Sequence, residues 1–203
     1  MRPPDHPVPS GDRTFARLVV AALERTGHEV VRPHAPSTWR AEPHDFAALD
    51  RAAQAAVGRI AAGWRERAPD AVLTYHSYHK APDLVGPPLA AAFALPYAVL
   101  EASRAPRHAR SPWAAGFERA DAVLAEADAV GAVTAHDAAE LTRHVPHKVV
   151  RVPPFLDVAP FLMQRAPRPD ALACAAMMRP GRKAEGVRVL ADALARVRAS
   201  GPR

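Results

Sequence analysis

"DAVLTYHSYHKAPDLVGPPLAAAFALPYAVLE", residues 70–101, decides how the rest of the chain is read. "DAVLTY" is a run of β-type residues with no polar alternation, the pattern of a strand buried on both faces in a parallel sheet. A polar loop follows, and then Pro87 and Pro88, which suit the first turn of a helix and not a central strand. "PYAVL", 96–100, leads into the next strand, over 97–101, so a helix over 87–94 carries the chain from one strand to the other. Leu84 to Leu100 is seventeen residues without a charge, near the lower length limit for a membrane span. Pro87, Pro88 and Pro96 divide it, which predicts two buried elements of a soluble sheet.

The same rhythm extends in both directions. Downstream, the patterning predicts a helix over 113–127, a strand over 129–133, a helix over 135–143 and a strand over 148–152. Upstream, a helix over about 45–67 has Phe46, Leu49, Ala53, Val57, Ile60 and Trp64 along one side. Before it, Phe15, Leu18, Val19, Ala22 and Leu23 form the apolar face of a helix capped by Ser10 or Asp12 and ended by Gly27. "HEVVR", 28–32, reads as a short strand, and 33–43, with three prolines and Trp39, as an ordered loop. Strands alternating with helices imply an α/β fold with a doubly wound, mostly parallel, Rossmann-like sheet. "MQRAPRPD", 163–170, reads as a hinge. The organisation expected is one domain over 1–165, then an orphan strand–helix unit in 166–203 with its strand at 171–177. Its helix, 184–199, has an apolar face of Val187, Leu190, Ala191, Leu194 and Val197.

The net charge of +6 and the pI of about 10.2 raise nucleic acid as a partner. The excess is mostly arginine, scattered along the chain, and the lysines are Lys80, Lys148 and Lys183. With no aromatic–basic RNA motif, no zinc-finger spacing and no recognition helix, the expectation is a solvated basic surface and no nucleic acid. Cys174 is the single cysteine, which excludes an intramolecular disulfide. Its apolar surroundings, "ALACAAMM", predict a buried thiol. No apolar export segment opens the chain, and the expected location is cytoplasmic.

Neither a G-x-G-x-x-G fingerprint nor a G-x-x-x-x-G-K-[ST] loop is present. Gly11 stands alone before a helix N-terminus, whose free N–H groups can receive a phosphate or a sugar hydroxyl, or which can simply be a tight turn. His76, Tyr78, His79 and Lys80 follow a strand's carboxyl end, where ligands of open α/β sheets bind. His76 and His79 have H-x-x-H spacing, but no third ligand stands near them, and a metal is not expected. Glu101 emerges from the next strand. It is a base, an acceptor for a sugar hydroxyl, or an ion-pair partner of Arg104 or Arg107. Asp137, after His136, caps a helix. In "MMRPGRKAEG", Arg179, Arg182 and Lys183 crowd a helix N-terminus, against its dipole, which suits a bound diphosphate better than an empty basic loop.

In order, these stretches resemble the two-Rossmann-domain (GT-B) glycosyltransferases, family 4-like. "ERTGHEV" after the glycine loop, "PDAVLTYHSY", "RADAVLAEADAVGAVTAHDAAEL", "KVVRVPPFLDVAPF" and "AMMRPGRKAEGVRVLADALA" are each similar to a segment of that family. The resemblance implies transfer of a sugar from a nucleotide-diphospho-sugar to a glycan or lipid-linked acceptor, with retained configuration and no bound metal or cofactor. It assigns the donor diphosphate to Arg179 with Lys183 or Arg182, and a close backbone approach to Gly11. Glu101 stands where many relatives have a histidine, and His76 is a second catalytic candidate. Relatives begin with a strand ahead of the glycine loop and continue into a full donor domain. This chain therefore reads as an acceptor half with one donor unit, inactive by itself and docked peripherally on the inner face of a membrane. The competing reading is a non-catalytic α/β binding module derived from such an enzyme.

Overall fold

A computed structural model describes residues 10–43, 45–159, 162, 174 and 181–200. The chain divides into two compact units, Met1–Val158 and Ala159–Arg203. In the first, helices α1 (Gly11–Arg25) and α2 (Ala47–Trp64) precede strand β1 (Val72–Tyr75). Then come α3 (Gly86–Phe93), β2 (Tyr97–Leu100), a 3-10 turn (Pro106–Arg110), α4 (Ala114–Glu126), β3 (Ala129–Ala132), α5 (Ala135–His144) and β4 (Val149–Arg151). The four strands form one parallel sheet in the order β1-β2-β3-β4, with Val72 beside Tyr97, Ala98 beside Ala129, and Val130 beside Val149. This is the α/β, Rossmann-like architecture that the alternation of elements predicts.

The core sits around the middle strands. Val99, Val130, Ala132, Leu124 and Leu141 are almost fully buried, so α4 and α5 cover β2 and β3. Truncating such a leucine to alanine typically costs about 2–5 kcal/mol. A second cluster joins Ala53, Ala56 and Ile60 of α2 to Val85 and Leu89 around α3. Trp64 meets Phe93 edge-on at 5.6 Å within it. Across to α4, the Arg119 guanidinium reaches Asp50 at 2.7 Å and lies 4.4 Å from the Phe46 ring.

Asp83 organises the chain between β1 and β2. Its Oδ1 accepts from the N–H groups of Val85 and Gly86, capping α3, while Oδ2 accepts from the hydroxyls of Thr74 and Tyr97. At α5, Thr134 accepts from the Asp137 N–H at 3.0 Å and bonds its carboxylate in return. That is the capping role expected of Asp137.

Three expectations need correction. Residues 28–32 form no strand: Val31 is 62% exposed, and Glu29 instead pairs with Arg67 at 2.8 Å. β1 is not buried on both faces, since it is the outer strand of the sheet and Leu73 is 44% exposed. The two departures share a cause: with no described strand on the outer side of β1, the apolar run of 28–32 has no ladder to join. Cys174 is exposed, not buried. In the second unit, α6 (Arg182–Ala199) matches the helix expected there, with Leu190 and Val197 exposed. The strand expected at 171–177 lies outside the described residues, except for Cys174.

Candidate functional site at the strand ends

β1 and β2 each keep their ladder for one residue beyond the strand. The His76 N–H donates to Leu100 O, and the Glu101 N–H to Gly131 O, both at 2.8 Å. Then the backbone turns sharply, with φ at +67° for His76 and +58° for Glu101. Left-handed backbone costs a residue with a Cβ roughly 1–2 kcal/mol. Two other non-glycine residues among those described share it, but Ala94 closes α3 and His147 turns the chain into β4. At His76 and Glu101 the strain sits beside the carboxyl ends of adjacent parallel strands, where an open α/β sheet binds ligands.

The two side chains turn toward one another. His76 Nδ1 stands 3.8 Å from Glu101 Oε2, with the side chains 18% and 28% exposed. This is longer than a hydrogen bond. His76 Nδ1, Glu101 Oε2 and the neighbouring Tyr75 hydroxyl are all buried atoms without a hydrogen-bond partner. Burial pushes the Glu101 carboxyl up, but the donors beside it, His76 and Tyr75, outweigh burial and hold it below its ordinary value. Burial, with Glu101 close by, pushes the Tyr75 hydroxyl up. At neutral pH the strand ends therefore present an ionised carboxylate next to a protonated phenol.

The first turn of α1 stands against this group. Phe15 packs on Tyr75 at 6.2 Å and on Phe155 at 5.0 Å, and the Asp12 charge reaches both Tyr75 and Tyr78. Ser10 makes no side-chain cap, and the first N–H bonded back into the helix is that of Thr14, to Ser10 O. The N–H groups of Gly11, Asp12 and Arg13 bond to no described residue and can receive a ligand. Arg13 is 7% exposed, its Nε is buried without a partner, and no described carboxylate pairs with it. A buried guanidinium without a counter-charge is costly to the free protein. Sequence reasoning singled out neither Tyr75 nor Arg13. An arginine at i−3 from Ala16 on the inward face of a helix was the one available signal.

No protein-family model matches the chain, and no curated protein matches it either.

Among the pairings open for Glu101, the Arg104 one does not form. Arg104 grips Asp121 with two bonds of 2.9 Å and Glu140 with a third, also 2.9 Å. His76 and His79 also diverge, the first toward Glu101 and the second onto His108. Of the cationic candidates, Arg179 lies outside the described residues, Arg182 is exposed at the start of α6, and Lys183 belongs to the same turn. At the opposite ends of β2 and β3, a depression of about 300 Å3 is lined by Ala90, Tyr97, Glu126 and Asp128. It lies at the other end of β2 from Glu101. Among the described residues no helix is long and apolar enough to cross a membrane.

Proposed function

We propose that the protein is a sugar-transfer protein of the GT-B type, taking a nucleotide-diphospho-sugar as donor and a glycan or lipid-linked hydroxyl as acceptor. The observation that carries this reading is the Glu101–His76 pair: two strained residues at adjacent strand ends, with buried polar atoms that no described residue satisfies. Such groups persist where a ligand completes them. In the proposed reaction, the bond from the sugar's anomeric carbon to the diphosphate oxygen breaks, and a bond to the acceptor oxygen forms. Glu101 accepts the hydrogen bond of the attacking hydroxyl and takes its proton, while His76 holds the carboxylate in place. The electron pair of the broken bond leaves on the diphosphate. Arg179, Arg182 and Lys183 are its proposed anchors. A cytoplasmic, membrane-peripheral location belongs to the same proposal.

The test is calorimetric titration of the purified chain with UDP, GDP and ADP, repeated on Arg179→Ala. Nucleoside diphosphate binding that is lost in the variant is expected. No binding of any of the three overturns the reading in favour of a non-catalytic module. The variant Glu101→Gln should bind the nucleotide normally and fail in transfer.

A further inference from the structure

A second feature runs outward from the strand ends along the β1–α3 loop. His76 and Tyr78 meet edge-on at 4.6 Å, Tyr78 and His79 at 5.2 Å, and His79 and Trp113 at 5.4 Å. His79 lies flat on His108, with centroids 3.8 Å apart and the planes inclined by 20°. Trp39, 46% exposed, joins the row by donating its indole N–H to the Tyr78 hydroxyl at 3.1 Å. The backbone is pinned beneath it: the Arg40 N–H donates to Lys80 O at 3.0 Å, and α4 approaches so closely that a Cβ on Gly116 would stand 2.1 Å from His79 O.

At the outer end of the row, around His79 and His108, the charges among the described residues are cationic. Lys80 Nζ sits 4.6 Å above the Trp113 ring, and no described carboxylate pairs with Lys80, Arg107 or Arg110. Burial first, and then the interaction with His108 and the neighbouring Lys80 and Arg107 cations, bring His79 down to about 4. His108 is lowered as well, so both imidazoles are neutral rings at pH 7. Stacking two imidazoles among unneutralised cations gains little for the free protein. It makes sense for a ligand with a weakly polar face to lie on the rings and a negative group to meet the cations.

Pyranose rings have that character, since their axial C–H groups rest on the negative faces of aromatic rings. Nucleic acid would require cations spaced along a phosphate track. Here Lys80 and Arg107 converge on one imidazole pair. We propose that this ridge binds an acidic saccharide, a pyranose bearing a carboxylate or a phosphate, and presents a hydroxyl of it to the Glu101–His76 pair. Calling this saccharide the acceptor rests on the transfer proposed above; its binding does not.

The experiment titrates the purified chain with trigalacturonate, glucose 6-phosphate, maltotriose, inorganic phosphate and a single-stranded oligonucleotide, following tryptophan fluorescence. Trp39 and Trp113 lie in the ridge, and Trp64 is held away between α2 and α3. An acidic saccharide should give a saturable change, with maltotriose and phosphate about tenfold weaker or more. The two acidic ligands distinguish a carboxylate from a phosphate. Lys80→Gln/Arg107→Gln should weaken that binding by about tenfold or more with an unchanged circular dichroism spectrum. Trp113→Ala should abolish it. Equal binding of maltotriose, unchanged binding by the double variant, or binding of the oligonucleotide alone would each overturn the proposal. Acidic-saccharide binding without any nucleoside diphosphate binding would refute the transferase and leave this site standing. The reverse pattern would refute this site alone.

Discussion

Replacing Glu101 by glycine should make the protein more stable while removing its function. The residue holds a left-handed φ of +58°, a conformation that costs a side-chain-bearing residue about 1–2 kcal/mol and glycine almost nothing. Its Oε2 makes no hydrogen bond at 3.8 Å from His76 Nδ1. What is lost with it is the attraction of the His76 and Tyr75 donors less the cost of burying the carboxylate, a small net amount. Against the relief of strain stands the extra freedom of an unfolded glycine, about 0.5–1 kcal/mol. The net expectation is a gain of about 0.5–1 kcal/mol in unfolding free energy, read from urea denaturation followed by tryptophan fluorescence. Glu101→Ala keeps the strain and removes the carboxylate, so it should be neutral to within about 0.5 kcal/mol. Under the proposed function, both variants should also lose sugar transfer. If Glu101→Gly instead loses more than about 1 kcal/mol, the carboxylate is a structural bonding group and the argument from strain to function fails.

Gly116→Ala and Gly58→Ala are the same chemical change with opposite expected signs. The first drives a Cβ to 2.1 Å from His79 O and should cost about 1–3 kcal/mol, while the second meets nothing within 4 Å and should stabilise α2 by about 0.5–1 kcal/mol. Thermal unfolding of the pair checks this, and a stabilised Gly116→Ala would show that α4 does not pack there. Arg104→Ala strips Asp121 and Glu140, 20% and 18% exposed, of their shared cation. Removing one partner of a buried pair costs about 3–5 kcal/mol, and this partial exposure should reduce it to about 2–3. A loss under about 1 kcal/mol in urea would mean that water already screens the cluster.

Local pattern was enough for most elements of this chain. Apolar residues at helical spacing, with Gly27 as a stop and Pro87–Pro88 as a start, marked α1 to α5 to within a few residues of their ends. The uncharged runs "YAVL" and "AVGA" marked the buried middle strands. Each of these elements is decided by its own side chains, because periodicity and capping act within a few residues of the chain. Reading failed where an element depends on a neighbour. Residues 28–32 have a strand's composition, but a strand requires a ladder partner, and β1 stands at the edge of the sheet. The exposure of Leu73 and of Cys174 could not be inferred from apolar surroundings for the same reason.

The candidate site divides in the same way. The sequence by itself put Glu101 and His76 at the ends of two strands, since that needs only the strand boundaries and the rule that parallel sheets bind ligands at their carboxyl ends. Only the tertiary structure decided that the two strands are neighbours, which brings His76 to within 3.8 Å of Glu101 and sends Arg104 to Asp121 and Glu140 instead. Only packing buried Arg13 with no counter-ion among the described residues and laid His79 on His108, residues 29 positions apart. Spacing along a chain sets which face of an element a residue occupies. Which groups meet across elements depends on register and on side-chain packing, and a single sequence carries no direct record of either.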